Sequence, residues 1–318
     1  MALRLAVPIS PIASEPEPHP VDYDWRFSET TATNLADLLD SQKGAIACLG
    51  SPTLFSSLKK RGRRSVLIDR NRYLSDSYGR QGVQTLDILT DPPLPEMLFD
   101  VVFMDPPWYP DHMHWWLAWA SRIVAENGFI FSTVFPPWTR PTAGKERSTL
   151  FQVMERMGKL ANLDLILQYE TPLFEAETYK VCKVERGRSW RTGQLVVIEA
   201  ANRAPYPERP REQAWRRFLF GTQVVMLRER RDVNLAPPVL VPIYRNGCKV
   251  LRSVSRRHRP RRRIDLWTSR NRVFSISGNA TALRGSLAAL AGPSLTERKA
   301  MTSSVLDIFT LRELLAET

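Results

Sequence analysis

Along the first two thirds of the chain, short continuous apolar runs alternate with stretches of helical spacing. The runs lie at 45–49, 65–68, 83–88, 99–104, 129–135, 163–169 and 194–199. Leu35, Leu38 and Leu39 fall on one face of a helix that starts near Trp25. Ser51-Pro52 suits the cap and first turn of a second helix, reaching about Arg61. Further helices are predicted at about 111–125 and 148–160. Strands that are apolar throughout must be covered on both faces, so the pattern predicts an α/β fold with a mostly parallel sheet. In such sheets the ligand lies beyond the carboxyl ends of the strands. Three runs end in or near an acid, at Asp69, Asp87 and Asp105, which is expected to bring three carboxylates to one rim.

The pattern changes after residue 200. Residues 201–211 are polar, with Pro205, Pro207 and Pro210, and read as a linker. Asn246-Gly247 between the apolar segments 239–244 and 249–254 predicts a tight hairpin. Segments 264–267 and 273–276 suggest a second pair around Arg270-Asn271, followed by helices at 280–290 and 295–315. The expected organisation is an irregular proline-rich arm over 1–24, an α/β domain over 25–200 and a smaller α+β region over 201–318. No internal repeat is present in the sequence.

Charge sharpens that division. Residues 1–200 hold 22 Lys and Arg against 24 Asp and Glu, whereas residues 201–318 hold 23 against 9. The whole excess of +12 therefore sits in the last third, which points to a polyanion, with nucleic acid the first candidate. A solvated tail or a docking site for an acidic protein is the alternative. The densest cations are Arg256, Arg257, Arg259, Arg261, Arg262 and Arg263, followed by Arg270 and Arg272, and they are read as phosphate contacts. No stretch approaches the roughly 18 apolar residues of a membrane span. Prolines at 8, 11, 16, 18 and 20 interrupt any secretory apolar region. The three cysteines are widely spaced, so neither a disulfide framework nor a zinc site is indicated, and a cytoplasmic setting is expected.

The chemistry concentrates in Asp105-Pro106-Pro107-Trp108, directly after an apolar run. An exocyclic aromatic amine is a poor nucleophile because its lone pair is delocalised. A carboxylate and a backbone carbonyl, accepting one N–H each, free that lone pair for attack. Two prolines fix φ and remove backbone donors, so the loop presents acceptors in one geometry. Trp108 offers a face for a flipped base. Asp91-Pro92-Pro93 lacks the aromatic and reads as a turn. Phe135-Pro136-Pro137-Trp138 lacks the acid; Trp138 reads as packing, with lining the substrate cleft as the alternative. Trp115 and Trp119 share a helix face and read as core before base platform. His112 and His114 lack companion ligands, so no metal is assigned.

Four motifs occur in order: Trp25-Arg26-Phe27-Ser28-Glu29-Thr30, then 46–55 with Gly50-Ser51-Pro52, then Val66-Leu67-Ile68-Asp69, then 99–107 ending in Asp105-Pro106-Pro107. Over residues 24–200 the chain resembles the N6-adenine-specific methyltransferase-like family, which also contains protein-lysine methyltransferases. Asp-Pro-Pro-Trp is also similar to the loop of mRNA adenosine methyltransferases. The resemblance implies a seven-stranded Rossmann-like class I fold that binds S-adenosylmethionine (SAM) at the rim. It implies Phe27, Ser28, Glu29 and Thr30 near the methionine part, Gly50, Ser51 and Pro52 at the cofactor turn, Asp69 on the ribose hydroxyls and Asp87 near the cofactor adenine. The first strand is followed by Gly50-Ser51-Pro52 where a GxGxG loop is common. The same loop accommodates adenine N6 or a lysine amine; the basic C-terminal third favours DNA or RNA over a protein acceptor. A degenerate domain serving as a nucleic-acid-binding subunit is the third reading.

Overall fold

The computed structural model describes residues 15–93, 96–185, 191–229 and 236–291. The expected runs form one seven-stranded sheet. In chain order the elements are α1 (Glu29–Asp40), β1 (Ile46–Leu49), α2 (Pro52–Lys60), β2 (Ser65–Asp69), α3 (Leu74–Tyr78), β3 (Val83–Thr85), β4 (Phe99–Met104), α4 (Pro110–Ala120), β5 (Val124–Val134), α5 (Ala143–Met157), β6 (Gly158–Gln168), α6 (Leu173–Cys182) and β7 (Thr192–Ala200). The strand order is β3-β2-β1-β4-β5-β7-β6. The first five strands are parallel, and β7 runs antiparallel to both β5 and β6. All four residues of β1 are buried, and so are Val101–Met104 of β4, which is why these segments carry no polar alternation.

A second sheet follows, from β8 (Trp215–Phe220), β9 (Gln223–Arg228), β10 (Val239–Pro242), β11 (Leu266–Thr268) and β12 (Val273–Ser277), closed by α7 (Ala280–Leu290). Its order is β10-β12-β11-β9-β8. The hairpin around Arg270-Asn271 forms, with Asn271 at φ 61°. The one expected around Asn246-Gly247 does not. Those residues make a turn, with the Gly247 N–H on the Tyr244 carbonyl, but β10 pairs with β12 and Val250 bridges only Arg272. On β12, Leu240 of β10 is partly covered by the core that α7 closes. The helix expected at 295–315 lies outside the described residues. Sequence periodicity did not disclose α6, β8 or β9.

The two sheets are stitched together by the N-terminal segment, α6 and several of the arginines. Residues 15–24 contain neither helix nor strand, yet His19 and Val21 are buried. Glu17 accepts from Ser269 Oγ at 2.7 Å and Arg270 Nη2 at 3.1 Å, and His19 Nε2 lies 3.0 Å from the Trp267 carbonyl. Phe174 of α6 is fully buried with Trp267 and Val224 of the second sheet. Four of the expected phosphate-binding arginines are used inside the fold. Arg256 forms a two-pronged pair with Asp111, at 2.8 Å on each oxygen, and Arg257 pairs with Glu146 at 3.0 Å. Arg261 donates to the Val254 carbonyl and lies over Tyr23 and Trp267, and Arg270 pairs with Glu17. Arg259, Arg262 and Arg263 sit on an exposed 3₁₀ turn and form no ion pair among the described residues, while Arg272 is half-buried.

Candidate active site

A cleft of about 840 Å³ opens beyond the carboxyl ends of the parallel strands. Gly50, Asp69, Asp87 and Asp105, which stand at or just beyond the ends of β1, β2, β3 and β4, all line it. The far wall comes from the second sheet's side, through Glu212, Arg252–Ser255 and Arg257.

Asp105 is the most tightly specified group. Its backbone N–H donates to the Leu49 carbonyl at 3.1 Å, so the loop starts in register with β1. Its Oδ1 accepts from Thr133 Oγ1 at 2.6 Å and Tyr169 OH at 2.8 Å. Those two hydroxyls close β5 and follow β6, so the carboxylate is oriented by three separate strands. Burial pushes the Asp105 carboxyl up to about 7, against the opposing pull of both hydroxyls and the Arg191 charge. Within the loop the Pro107 carbonyl already accepts from Tyr109 N–H at 2.7 Å. The Pro106 carbonyl accepts no hydrogen bond among the described residues.

Trp108 differs from expectation. It is 8% exposed, its ring meets Tyr169 edge-on at 5.6 Å, and the guanidinium of Arg191 lies over it at 4.1 Å. One face of the indole is therefore covered by Arg191, while Trp108 still lines the cleft. The same guanidinium lies 4.2 Å from the Trp25 ring, and Trp25 is tied by Nε1 to Glu175 at 3.1 Å. Arg191 Nε is buried without a hydrogen-bond partner among the described residues, and burial lowers the guanidinium's pKa. No sequence motif marks this residue.

The cofactor side is also built from strand ends. Asp69 Oδ1 accepts from Asn71 N–H at 2.7 Å, and burial raises its carboxyl to about 7. Asp87 Oδ1 accepts from Leu89 N–H at 2.9 Å, and its Oδ2 lies 3.8 Å from Arg70 Nη1. Asp91 closes the turn beneath it, taking the Asp87 N–H at 2.8 Å, while its carbonyl receives Trp119 Nε1 at 2.9 Å. The Asp91-Pro92-Pro93 copy is thus a structural turn, and Trp115 and Trp119 are core residues. Gly50 holds φ +61°, and a Cβ there would come within 2.8 Å of Trp116. Backbone can approach a ligand closely at that point only because the residue is glycine.

Other expected cofactor residues stand elsewhere. Phe27 packs against Phe103 and Tyr169 in the core, Ser28 caps α1 through the Thr31 N–H, and Glu29 and Thr30 are exposed on its first turn. None of these four lines the cleft; Asp22–Trp25, just upstream, do. Ser51 and Pro52 are buried at the start of α2, behind Gly50. The helix-capping role of Ser28 explains why the motif's tail turns away from the rim. Trp138 is no packing residue: it is 72% exposed and lines the cleft mouth.

The donor set fits SAM. A carboxylate at the end of β2 suits vicinal ribose hydroxyls. Ile68, Leu86, Ile88 and Leu89 give apolar walls beside Asp87, and Gly50 allows close backbone approach.

Residues 23–181 match the family model described as "Probable N6-adenine methyltransferase". No curated protein matches the sequence. Among solved structures, the chain is similar to the branched-chain polyamine synthase of Thermus thermophilus, solved with N4-aminopropylspermidine and 5′-methylthioadenosine. The TM-score is 0.50 at 15% identity, covering 62% of this chain and 64% of that one. The match thus spans under two thirds of the synthase. A second similar structure is the T. thermophilus 16S rRNA methyltransferase with AdoMet and guanosine, with TM-score 0.36 and 12% identity over 64% of this chain and 47% of that one. No helix among the described residues is long and apolar enough to cross a membrane. With half its length matched and the seven-stranded sheet in place, the chain belongs to the probable N6-adenine methyltransferase family.

Proposed function

We propose that this chain methylates the N6 amine of adenine in DNA or RNA. The observation that carries the reading is the Asp105 carboxylate, fixed through Oδ1 by Thr133 and Tyr169 beside the unshared Pro106 carbonyl. With Oδ1 occupied, Oδ2 accepts one N–H of the amine and the Pro106 carbonyl accepts the other. The amine is then drawn toward a tetrahedral shape with its lone pair directed outward. Asp69, Asp87 and the Gly50 backbone would hold SAM, which would supply a methyl group on a cationic sulfur. The N6 nitrogen becomes acidic as it is alkylated, so Asp105 needs only to accept hydrogen bonds and then a proton. Arg191 favours adenine over lysine, since a fixed guanidinium acting on Asp105 opposes entry of a second cation. The free cysteines Cys48, Cys182 and Cys248 fit a cytoplasmic setting.

Radiolabelled SAM incubated with single- and double-stranded DNA, RNA, lysine-containing protein and a polyamine tests the reading. Label in adenine of a polynucleotide is expected; label found in protein or polyamine alone overturns it. Asp69→Ala is expected to weaken SAM binding in calorimetry by roughly tenfold to a hundredfold, the worth of a charged hydrogen bond. Unchanged affinity moves the ribose contact elsewhere. The exposed trio Arg259, Arg262 and Arg263 is the part of the basic run available to phosphates. Its joint replacement by Gln is expected to reduce the salt slope of duplex binding by about 2–3 units. A slope equal to that of the parent chain removes the trio from the interface.

A further inference from the structure

We propose that Trp138 is a stacking platform for a nucleotide that neighbours the target adenine in a single strand. The inference rests on the adenine reading above, and extends it to how the strand is held. Three observations support it.

First, Trp138 exposes 72% of its surface, although an indole is among the most costly side chains to leave in water. Second, the exposure is built in. Pro136 and Pro137 fix the backbone before it. Thr139 donates to the Pro136 carbonyl through both its N–H, at 3.2 Å, and its Oγ1, at 2.9 Å. Phe135 is fully buried beneath the Arg140 guanidinium, which lies 4.0 Å over its ring and donates from Nε to Glu146 at 2.6 Å. Third, Trp138 stands at the mouth of the cleft that holds Asp105, and Arg252 lines the same cleft, as does Arg257, which is paired with Glu146. Arg252 is exposed and forms no ion pair among the described residues.

A rigid aromatic face on a cleft that also carries Arg252, unpaired among the described residues, matches a base and its phosphate. An acidic peptide would use the cations and leave the indole idle. Every base has a π-face, so the platform would hold a neighbouring nucleotide without selecting its identity. Arg191 over one face of Trp108 gives this platform its purpose: the strand needs an aromatic anchor outside the catalytic loop, because the loop's own indole is taken on one face.

The test uses fluorescein-labelled strands of thymidine, and of uridine, with one central adenine. A matched series carries an abasic site at each position around that adenine. Binding is read by anisotropy for the parent chain, Trp138→Ala and Trp138→Phe, with unchanged melting temperatures showing intact folds. On the full strand, Trp138→Ala is expected to weaken binding about tenfold and Trp138→Phe by much less. With an abasic site at one position next to the adenine, Trp138→Ala is expected to cost nothing further. Affinity within twofold of the parent, a loss equal at every abasic position, or binding of an acidic peptide in place of the strand overturns the proposal. Methylation of the same strands separates the two readings. Coupling to Trp138 without adenine methylation sinks the adenine reading alone, and adenine methylation without coupling sinks the platform alone.

Discussion

Asp105→Ala is expected to lower methyl transfer by about a thousandfold, the scale of losing a preorganised group from a transition state. SAM affinity in calorimetry should stay within about threefold, since Asp69, Asp87 and Gly50 are untouched. With Oδ1 taken by two hydroxyls, a proton on the carboxyl sits on Oδ2 and turns the amine's acceptor into a donor, and burial raises that pKa to about 7. Turnover is therefore expected to rise through about pH 7 and level off above it. Asp105→Asn tests this separately. Its amide cannot ionise, so the rising limb should vanish with whatever activity remains. The same burial has a stability cost of opposite sign to a salt bridge. The unfolded carboxyl ionises near its ordinary value and the folded one near 7, so the folded chain holds more protons between them. Stability thus falls as pH rises through that window. Asp105→Asn keeps partners for Thr133 and Tyr169 and removes the buried charge, so its melting temperature is expected to exceed the parent's above neutrality and to match it only below the unfolded value, about 3.9. A parent profile flat across neutrality, or a mutant less stable at every pH, would contradict the burial argument.

The sheet was legible because its strands are buried on both faces. Runs such as 46–49 and 101–104 have no polar interruption, and each is followed by a residue that lines the cleft. The same strand-end rule marks Gly50, Asp69, Asp87 and Asp105. Applied to polar residues in the later strands, it also reaches Thr133 and Tyr169, whose hydroxyls sit where β5 and β6 end. Arg191 was not legible. Its role comes from the convergence of Trp25, Trp108 and β7, segments distant in sequence. The second sheet was hard to read for a related reason: β10 pairs with β12 across more than thirty positions, so the local Asn246-Gly247 turn signal pointed to the wrong partner. Charge misled in a similar way. Composition shows where the arginines lie along the chain, but Arg256 and Arg270 are committed to Asp111 and Glu17, acids contributed by the first part of the chain. The +14 of the last third partly neutralises acids of the rest, and only its exposed remainder faces a partner.

Asp22→Ala is expected to destabilise the fold by about 3–5 kcal/mol, because it leaves the buried Arg217 without its carboxylate and takes one carboxylate from Arg70. Asp22 Oδ1 lies 3.0 Å from Arg70 Nε, and Oδ2 lies 2.5 Å from Arg217 Nη2. Arg70 follows β2 at the cleft, whereas Arg217 belongs to β8, so one carboxylate joins the two sheets. Burial alone would raise the Asp22 carboxyl, but Arg217 and Arg70 outweigh it and hold it below the ordinary value. A depressed folded pKa gives stability that is complete above the unfolded value, about 3.9, and is lost as pH falls through the folded one. The difference between parent and mutant is therefore expected to be full at neutrality and to shrink only in acid, when measured by urea unfolding at several pH values. Activity should fall with it, because Arg70 also reaches Glu212 at 2.8 Å and Asp87 at 3.8 Å, and all three line the cleft. Arg70 released from Asp22 is free to draw Asp87 away from the cofactor side. Asp22→Asn keeps shape and one acceptor, so a smaller loss for Asn than for Ala would assign part of the effect to packing and the remainder to charge. A mutant as stable as the parent at neutral pH would show that Glu212 and Asp87 suffice to hold Arg70, and that the seam does not depend on Asp22.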